Sequence, residues 1–188
     1  MRLEPMTLAH LPALERVAYD DNTWALTMTH VKTRADLQAW MQTALDWRAA
    51  GTAMPWVTVL QATGEAIGGT RFAELDIKNL TVEIGWTWLN AAYRGLGLNT
   101  EAKLLQLTYA FEVLKLRRVA LKTHSLNERS RGAMLAMGAQ FEGILRNHLI
   151  MPDGGARHTA SYSVIAEEWP QVKSRLEARL KAQTQPSA

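Results

Sequence analysis

The stretch that most constrains this chain is Thr81–Leu89, TVEIGWTWL. Val82, Ile84, Trp86 and Trp88 alternate there with Thr81, Glu83, Gly85 and Thr87, the period of a strand with one buried face. A short loop holding Arg94-Gly95-Leu96-Gly97 follows, and then a helical pattern over Asn99–Leu116 with Leu104, Leu107, Phe111 and Leu114 on its buried stripe. Strand, glycine turn and long helix in that order gather the backbone N–H groups of Arg94, Gly95, Leu96, Gly97, Leu98, Asn99 and Thr100 at a positive helix end. That is a cradle for a phosphate group. The plainer reading is a strand–helix turn whose glycines only relieve strain. The long elements on either side favour the cradle.

The rest of the chain reads as alternating short elements. Met1–Met6 opens as a strand, and Leu8, Leu11, Leu14 and Val17 follow a helical spacing behind Thr7 as N-cap. Arg34–Ala50 is a second helix, with Leu37, Met41 and Leu45 on one face, Trp40 beside it and Gly51 as its stop. Between them, Asp20–Thr33 carries Trp24, Met28 and His30 and folds over core or pocket. Trp56–Ala62 and Glu65–Leu75 form a hairpin around Thr63-Gly64. Arg118–Thr123 is a strand, and Asn127 caps a helix that Gly138 ends. Gln140–Met151 and Ala156–Ile165 make a hairpin around Pro152-Asp153-Gly154-Gly155, and Trp169–Leu180 is an amphipathic helix. No repeat or linker interrupts this, so residues 1–182 read as one domain and residues 183–188 as a frayed tail.

Composition removes several function classes. No apolar run approaches the length of a membrane span, and the first residues lack the layout of a signal peptide. The absence of cysteine excludes disulfides and thiolate-held metals and fits a reducing cytoplasm. His10, His30, His124, His148 and His158 show no metal-ligand spacing, so no metal is expected. Lys and Arg are scattered among acids, with a formal net charge of +3, which argues against a nucleic-acid partner.

Two familiar phosphate binders do not fit the loop. No GxxxxGK[ST] string exists, and a dinucleotide fingerprint needs a third glycine where Thr100 stands. The string Arg94-Gly95-Leu96-Gly97-Leu98-Asn99 instead resembles the acyl-CoA signature R/Q-x-x-G-x-G/A of the GNAT superfamily of N-acetyltransferases, with Asn99 departing from its small final residue. Asn99 could cap the helix and leave the amides free. The resemblance continues through Arg118–Thr123 to the interval between Asn127 and Gly138. Many members place a Tyr seven residues after that Asn, where this chain has Met134. The branch of ribosomal-protein N-terminal acetyltransferases carries a Ser three residues after it, and Ser130 matches.

The resemblance implies a mixed α/β fold: a mostly antiparallel seven-stranded sheet, splayed at its centre, with helices on both faces. It implies acetyl-CoA as co-substrate and a primary amine as acceptor, a protein N-terminal α-amine or a small amine. By position, the backbone of Thr87, Trp88 and Leu89 would bind the pantetheine arm. Asn127 would serve as helix cap or pantetheine ligand, two uses that compete for one side chain. Ser130 would donate to the sulfur.

Glu83, on the strand face opposite the Trp86/Trp88 stripe, is the candidate for proton removal; burial there would raise its pKa. A structural or solvent-facing Glu is the alternative. Of the histidines, His124 lies nearest the expected cleft. Trp40, Trp86 and Trp88 fall on core stripes, whereas Trp24 and Trp56 have no periodic explanation. Acceptor choice falls to Asp20–Thr33 and the Pro152–Gly155 hairpin, where Asp20, Asp21 and Asp153 could attract a cationic amine; turn chemistry is the favoured reading of these acids. Without cysteine, an acetyl-cysteine intermediate is excluded, which favours direct attack. A catalytically silent acyl-CoA-binding module is the rival reading. No residue pattern directs homodimerisation, for which the last strands and the C-terminal helix are the available surfaces.

Overall fold

The computed structural model describes residues 1–184. Its elements run β1 (Arg2–Pro5), α1 (Leu11–Ala18), the single turn α2 (Asp21–Trp24), α3 (Arg34–Ala49), β2 (Met54–Val59), β3 (Ala66–Asp76) and β4 (Thr81–Leu89). After these come α4 (Leu98–Thr108), β5 (Arg118–His124), α5 (Glu128–Met137), β6 (Gln140–Ile150), β7 (Ala156–Ile165) and α6 (Trp169–Thr184). The expected α/β architecture is present. The strands form one seven-stranded sheet in the order β1-β2-β3-β4-β5-β7-β6, antiparallel except for the β4–β5 pair. Helix α6 extends through Thr184, four residues past the expected Leu180, and residues 185–188 of the expected frayed tail lie outside the described residues.

Two apolar cores lie on opposite faces of this sheet. On one, Leu14, Val17, Leu37, Trp40 and Met41 of α1 and α3 cover Val57, Val59 and Trp88. On the other, Leu107 and Phe111 join Met134, Met137, Val172 and Leu176 over Val82, Ile84, Val119 and Leu121. The periodic residues of each helix are therefore the ones that bury. Leu8 is the exception: it sits in a 3₁₀ turn before α1 and is exposed, because the α-helical spacing begins only at Leu11. Beyond α4 the chain widens into a π turn over Tyr109–Val113, so the expected helix to Leu116 is α only as far as Thr108.

The clean alternation expected along β4 is broken. Gly69 of β3 pairs with Trp88 and Arg71 with Gly85, so one residue of β3 faces two of β4. This is a β-bulge, and Trp86 within it has a φ of +50°, the left-handed region that bulky residues avoid. The extra residue inverts the side-chain parity. Val82 and Ile84 point to the α4 core, whereas Trp86 and Trp88 pack on the α3 side. Glu83 thus shares a face with the two tryptophans instead of opposing them.

The same place marks the end of the β4–β5 pairing. The parallel register runs from Thr81↔Arg118 to Ile84↔Leu121 and stops, while both strands continue. On its other edge β4 stays paired to Gly68 and Gly69, which allows no side chain at close range: a Cβ on Gly68 would lie 2.1 Å from the Trp88 carbonyl oxygen. Replacing Gly68 with Ala should lower stability by about 1–3 kcal/mol through overpacking, seen as an earlier chemical-denaturation midpoint. An unchanged midpoint would mean that β3 and β4 do not meet so closely.

Candidate active site

The parting of β4 from β5 opens a cavity of about 970 Å³ that passes through the sheet. One mouth lies at the start of α4. There Gly97, at φ +80°, caps the helix, which begins at Leu98; Asn99 is its second residue and not the expected cap. No cap side chain bonds the first turn, and the Glu101 N–H donates to the Gly97 carbonyl. The N–H groups of Leu98, Asn99 and Thr100 thereby point out of the helix end, with its partial positive charge. Gly95 also adopts a left-handed φ, +78°, and a Cβ there would meet nothing within 4 Å. The turn has the donors that a diphosphate requires; its approach is open at Gly95, while at Gly97 the Gln183 side chain of α6 lies close, with Oε1 2.7 Å from where a Cβ would be.

The Arg94 side chain does not point into that cradle. Its Nε donates to the Leu89 carbonyl at 3.1 Å, and its Nη2 to Asp20 Oδ2 at 3.3 Å and to the Thr23 hydroxyl. It ties the loop to the end of α1, and its backbone N–H donates to the Ala91 carbonyl at 3.2 Å, so the free donors of the turn begin after Arg94. Asp20, which also accepts from the Thr23 hydroxyl, acts as this tie. Thr23, Trp24 and the segment from Leu26 to His30 line the cavity, as expected of Asp20–Thr33. The Pro152–Gly155 turn does not line it; the same hairpin contributes His148, Leu149, Arg157 and Thr159 from its strands. Asp153 accepts from the Gly155 N–H, a turn bond that holds the hairpin tip.

Thr87, Trp88 and Leu89 lie along the part of β4 whose β5-facing edge is unpaired. The bulge turns Thr87 toward α4, where its hydroxyl accepts from Lys103 Nζ at 2.9 Å and exchanges a 2.7 Å bond with Thr70. Gln106 Oε1 also accepts from Lys103, at 3.0 Å. Asn127 Oδ1 accepts from the Ser130 N–H at 3.1 Å, which makes Asn127 a working cap; its amide nitrogen is a separate atom, so capping and ligand binding need not compete. Asn127, Ser130 and Met134 all line the cavity.

Glu83 lies in the same cavity and is 7% exposed. Burial pushes its carboxyl above the ordinary carboxylate range; Lys122, with Nζ 2.8 Å from Oε2, opposes the shift, and the Glu74 carboxyl, which neighbours Glu83 and shares Lys122 with it, adds to it. His124 does not line the cavity: its Nδ1 accepts from the Leu126 N–H, so the ring holds the turn after β5. Trp24 is buried against Trp40 and Trp88 at 6.1 and 5.2 Å and donates to the Ala18 carbonyl, whereas Trp56 packs edge-on to Phe72 on the opposite face. Three residues of the site went unread in the sequence: Arg71, Lys103 and Lys122. Each is a cation inside an otherwise apolar or alternating stretch, and that interruption was the available signal. Among the described residues, no group of three or more His, Cys, Asp or Glu could hold a metal ion, and no helix is long and apolar enough to cross a membrane.

Lys103 is the more unusual cation. Full burial pushes its ammonium down to about 7. Between about pH 7 and 10 the unfolded chain holds a proton on this group that the folded chain has released, so its contribution makes stability rise with pH across that window. Lys103→Met should flatten the stability–pH curve there, by at most about 1.4 kcal/mol per pH unit, in denaturant melts at several pH values. Parallel curves for the two proteins would show that Lys103 titrates normally.

Comparison with known proteins agrees with this geometry. Residues 1–140 match the family model described as "Acetyltransferase (GNAT) domain". A Bacillus subtilis protein named "Putative ribosomal N-acetyltransferase YdaF" is 33% identical over 125 residues, 66% of this chain and 67% of that protein. A solved structure of a GCN5-related N-acetyltransferase from Brucella melitensis superposes with a TM-score of 0.90 at 28% identity, covering 99% of this chain and 85% of that one. An acetyltransferase structure from T. thermophilus, described as putative, gives 0.85 at 39% identity, covering 95% and 93%.

Proposed function

The chain belongs to the GNAT acetyltransferase family, and from that premise we propose that it moves an acetyl group from acetyl-CoA to a primary amine by direct attack. The observation that carries the reading is the cavity itself: it connects the open helix end at Gly97 to the buried carboxyl of Glu83 through the gap between β4 and β5. The N–H groups around Gly95–Thr100 hold the diphosphate, and the unpaired edge of Thr87, Trp88 and Leu89, with the Asn127 amide, lines the route of the pantetheine arm. Acetyl-CoA supplies a thioester whose carbonyl carbon bonds the amine nitrogen as the carbon–sulfur bond breaks and the thiolate takes up a proton.

The remaining chemistry falls to the chain. An amine enters mostly as an ammonium ion and must lose a proton to become a nucleophile. Glu83, held above its ordinary range by burial, accepts that proton directly or through water, and Lys122 neighbours the carboxylate. The Ser130 hydroxyl, on the first turn of α5, donates toward the sulfur. Met134 has no proton to give, which leaves Ser130 and solvent to supply one. A protein N-terminal α-amine is the first acceptor class to test, as the name of YdaF suggests. The absence of cysteine fits a place in the reducing cytoplasm.

The test is CoA release with a panel of N-terminal peptides and small amines. Glu83→Gln should lower kcat by about 10²-fold or more at neutral pH, the scale of a general base, with little change in acetyl-CoA affinity. In the parent enzyme kcat should rise with pH as Glu83 deprotonates, and the variant should lose this limb. An identical pH–rate profile in the variant would remove Glu83 from the mechanism. Cofactor binding without CoA release from any amine would favour the silent module instead.

A further inference from the structure

Among the described residues, Arg71 is the most deeply buried charged side chain, and the reaction leaves it unused. It lies mid-strand in β3, directly across from Gly85, the first residue of β4 beyond its pairing with β5. It is 1% exposed and lines the cavity that holds Glu83. Three tryptophan rings surround its guanidinium carbon: Trp40 at 4.7 Å, Trp86 at 5.1 Å and Trp47 at 5.3 Å from their centroids. Such rings attract a cation by their faces but offer it no hydrogen-bond acceptor.

The unmet need is specific. Among the described residues, neither Nε nor Nη2 of Arg71 has a hydrogen-bond partner. These two nitrogens share one edge of the planar guanidinium, the edge that takes both oxygens of a carboxylate at once. Burial lowers the group only to about 10, so it stays charged at neutral pH. A buried cation without an anion is costly, and an apolar side chain of similar size would fill the tryptophan cage without that cost. The fold alone therefore does not call for an arginine here. A ligand that brings the anion does.

We propose that Arg71 is a specificity-determining residue that binds a carboxylate of the acceptor, so that the preferred substrate is a primary amine which itself carries a carboxylate. The proposal rests on the acetyltransferase reading and narrows its acceptor. Arg71 and Glu83 stand on one face of the sheet on neighbouring strands, with Arg71 opposite Gly85 and Ala73 opposite Glu83. The acceptor's carboxylate is held at Arg71 while its amine reaches Glu83 and the gap between the strands. The Nε–Nη2 edge is closed to solvent in this structure, so the edge-on pair of Trp86 and Trp47, both half-buried and 5.1 Å apart, is the wall that shifts to admit the carboxylate. The carboxylate has two sources, a free amino acid or the acidic side chain of a peptide's first residues.

The experiment measures CoA release for matched acid and amide pairs. One arm runs from glycine through β-alanine and γ-aminobutyrate to longer homologues, each against its carboxamide. The other uses short peptides with Asp or Glu near a free N-terminus against the same peptides with Asn or Gln. At least one acid should exceed its amide by about tenfold or more in kcat/KM, the lower end of what a charge-assisted pair contributes. The arm that shows the preference identifies the source. Arg71→Lys, which keeps the charge and loses the fork, and Arg71→Met, which loses both, should bring that ratio toward unity while acetyl-CoA still binds. Arg71→Met should also melt at a higher temperature, because a buried unpaired charge is gone. No acid preference in the parent enzyme, or a preference that survives in Arg71→Met, overturns the proposal.

The Nε–H resonance of Arg71, followed by NMR during titration with the same acids and amides in the presence of CoA, decides the point independently of turnover. A downfield shift with an acid and not with its amide supports the carboxylate site, and no shift with any acid overturns it. Absent turnover with a shifted resonance would count against the acetyltransferase reading alone.

Discussion

The structure depends on one surplus residue in β4. A strand that pairs on both edges cannot expose backbone to a ligand, and a strand that leaves both neighbours loses the ladder that holds it in place. The bulge at Trp86 resolves this conflict by bending β4 away from β5 after Ile84 while its other edge stays paired to Gly68 and Gly69. The local strain of a tryptophan at positive φ is offset by its packing against Trp47 and the Arg71 guanidinium. Without the extra residue, Trp88 would sit on the α4 side, Thr87 would lie away from Lys103, and the gap between the parallel strands would close.

Charge placement follows from that opening. Glu83, Arg71 and Lys103 are all buried around it, and burial works against the charged form of each. The outcome differs because the partners differ. Glu83 shares Lys122 with Glu74, Lys103 has two neutral oxygen acceptors within 3.0 Å, and Arg71 faces three tryptophan rings with its Nε and Nη2 unpartnered among the described residues. A fold selected only for stability would fill such positions with apolar side chains. Their concentration along one cavity is the observation on which the proposed proton transfer and carboxylate binding both rest.

Much of this was legible in the chain. Helix faces followed the three-to-four residue period, Asn127 and Gly138 bounded α5 as their backbone preferences require, and the glycine turn before α4 lies where the alternating strand ends. Among the readings that the structure corrects, two concern β4 and the turn that follows it. The opposition of Glu83 to Trp86 and Trp88 assumed one unbroken register, although Gly85, directly before Trp86, is the kind of lone strand glycine that accompanies a bulge. The capping role given to Asn99 missed that Gly97 takes the left-handed conformation two residues earlier. Arg71 escaped notice because its neighbours in β3 are small or apolar, and a single charge in such a strand carries no period.

The sequence by itself determined the order and kind of the elements and the phosphate-ready turn, because these rest on local backbone preference and on spacing within one segment; the class of chemistry came from the resemblance that its motifs carry. Tertiary structure decided which face Glu83 shares, what Arg94 ties down, which part of the last hairpin lines the cavity and where an uncompensated guanidinium comes to rest. Those outcomes depend on register between strands far apart in the chain. A shift of one residue in that register reverses every side chain beyond it, and no local pattern records the shift.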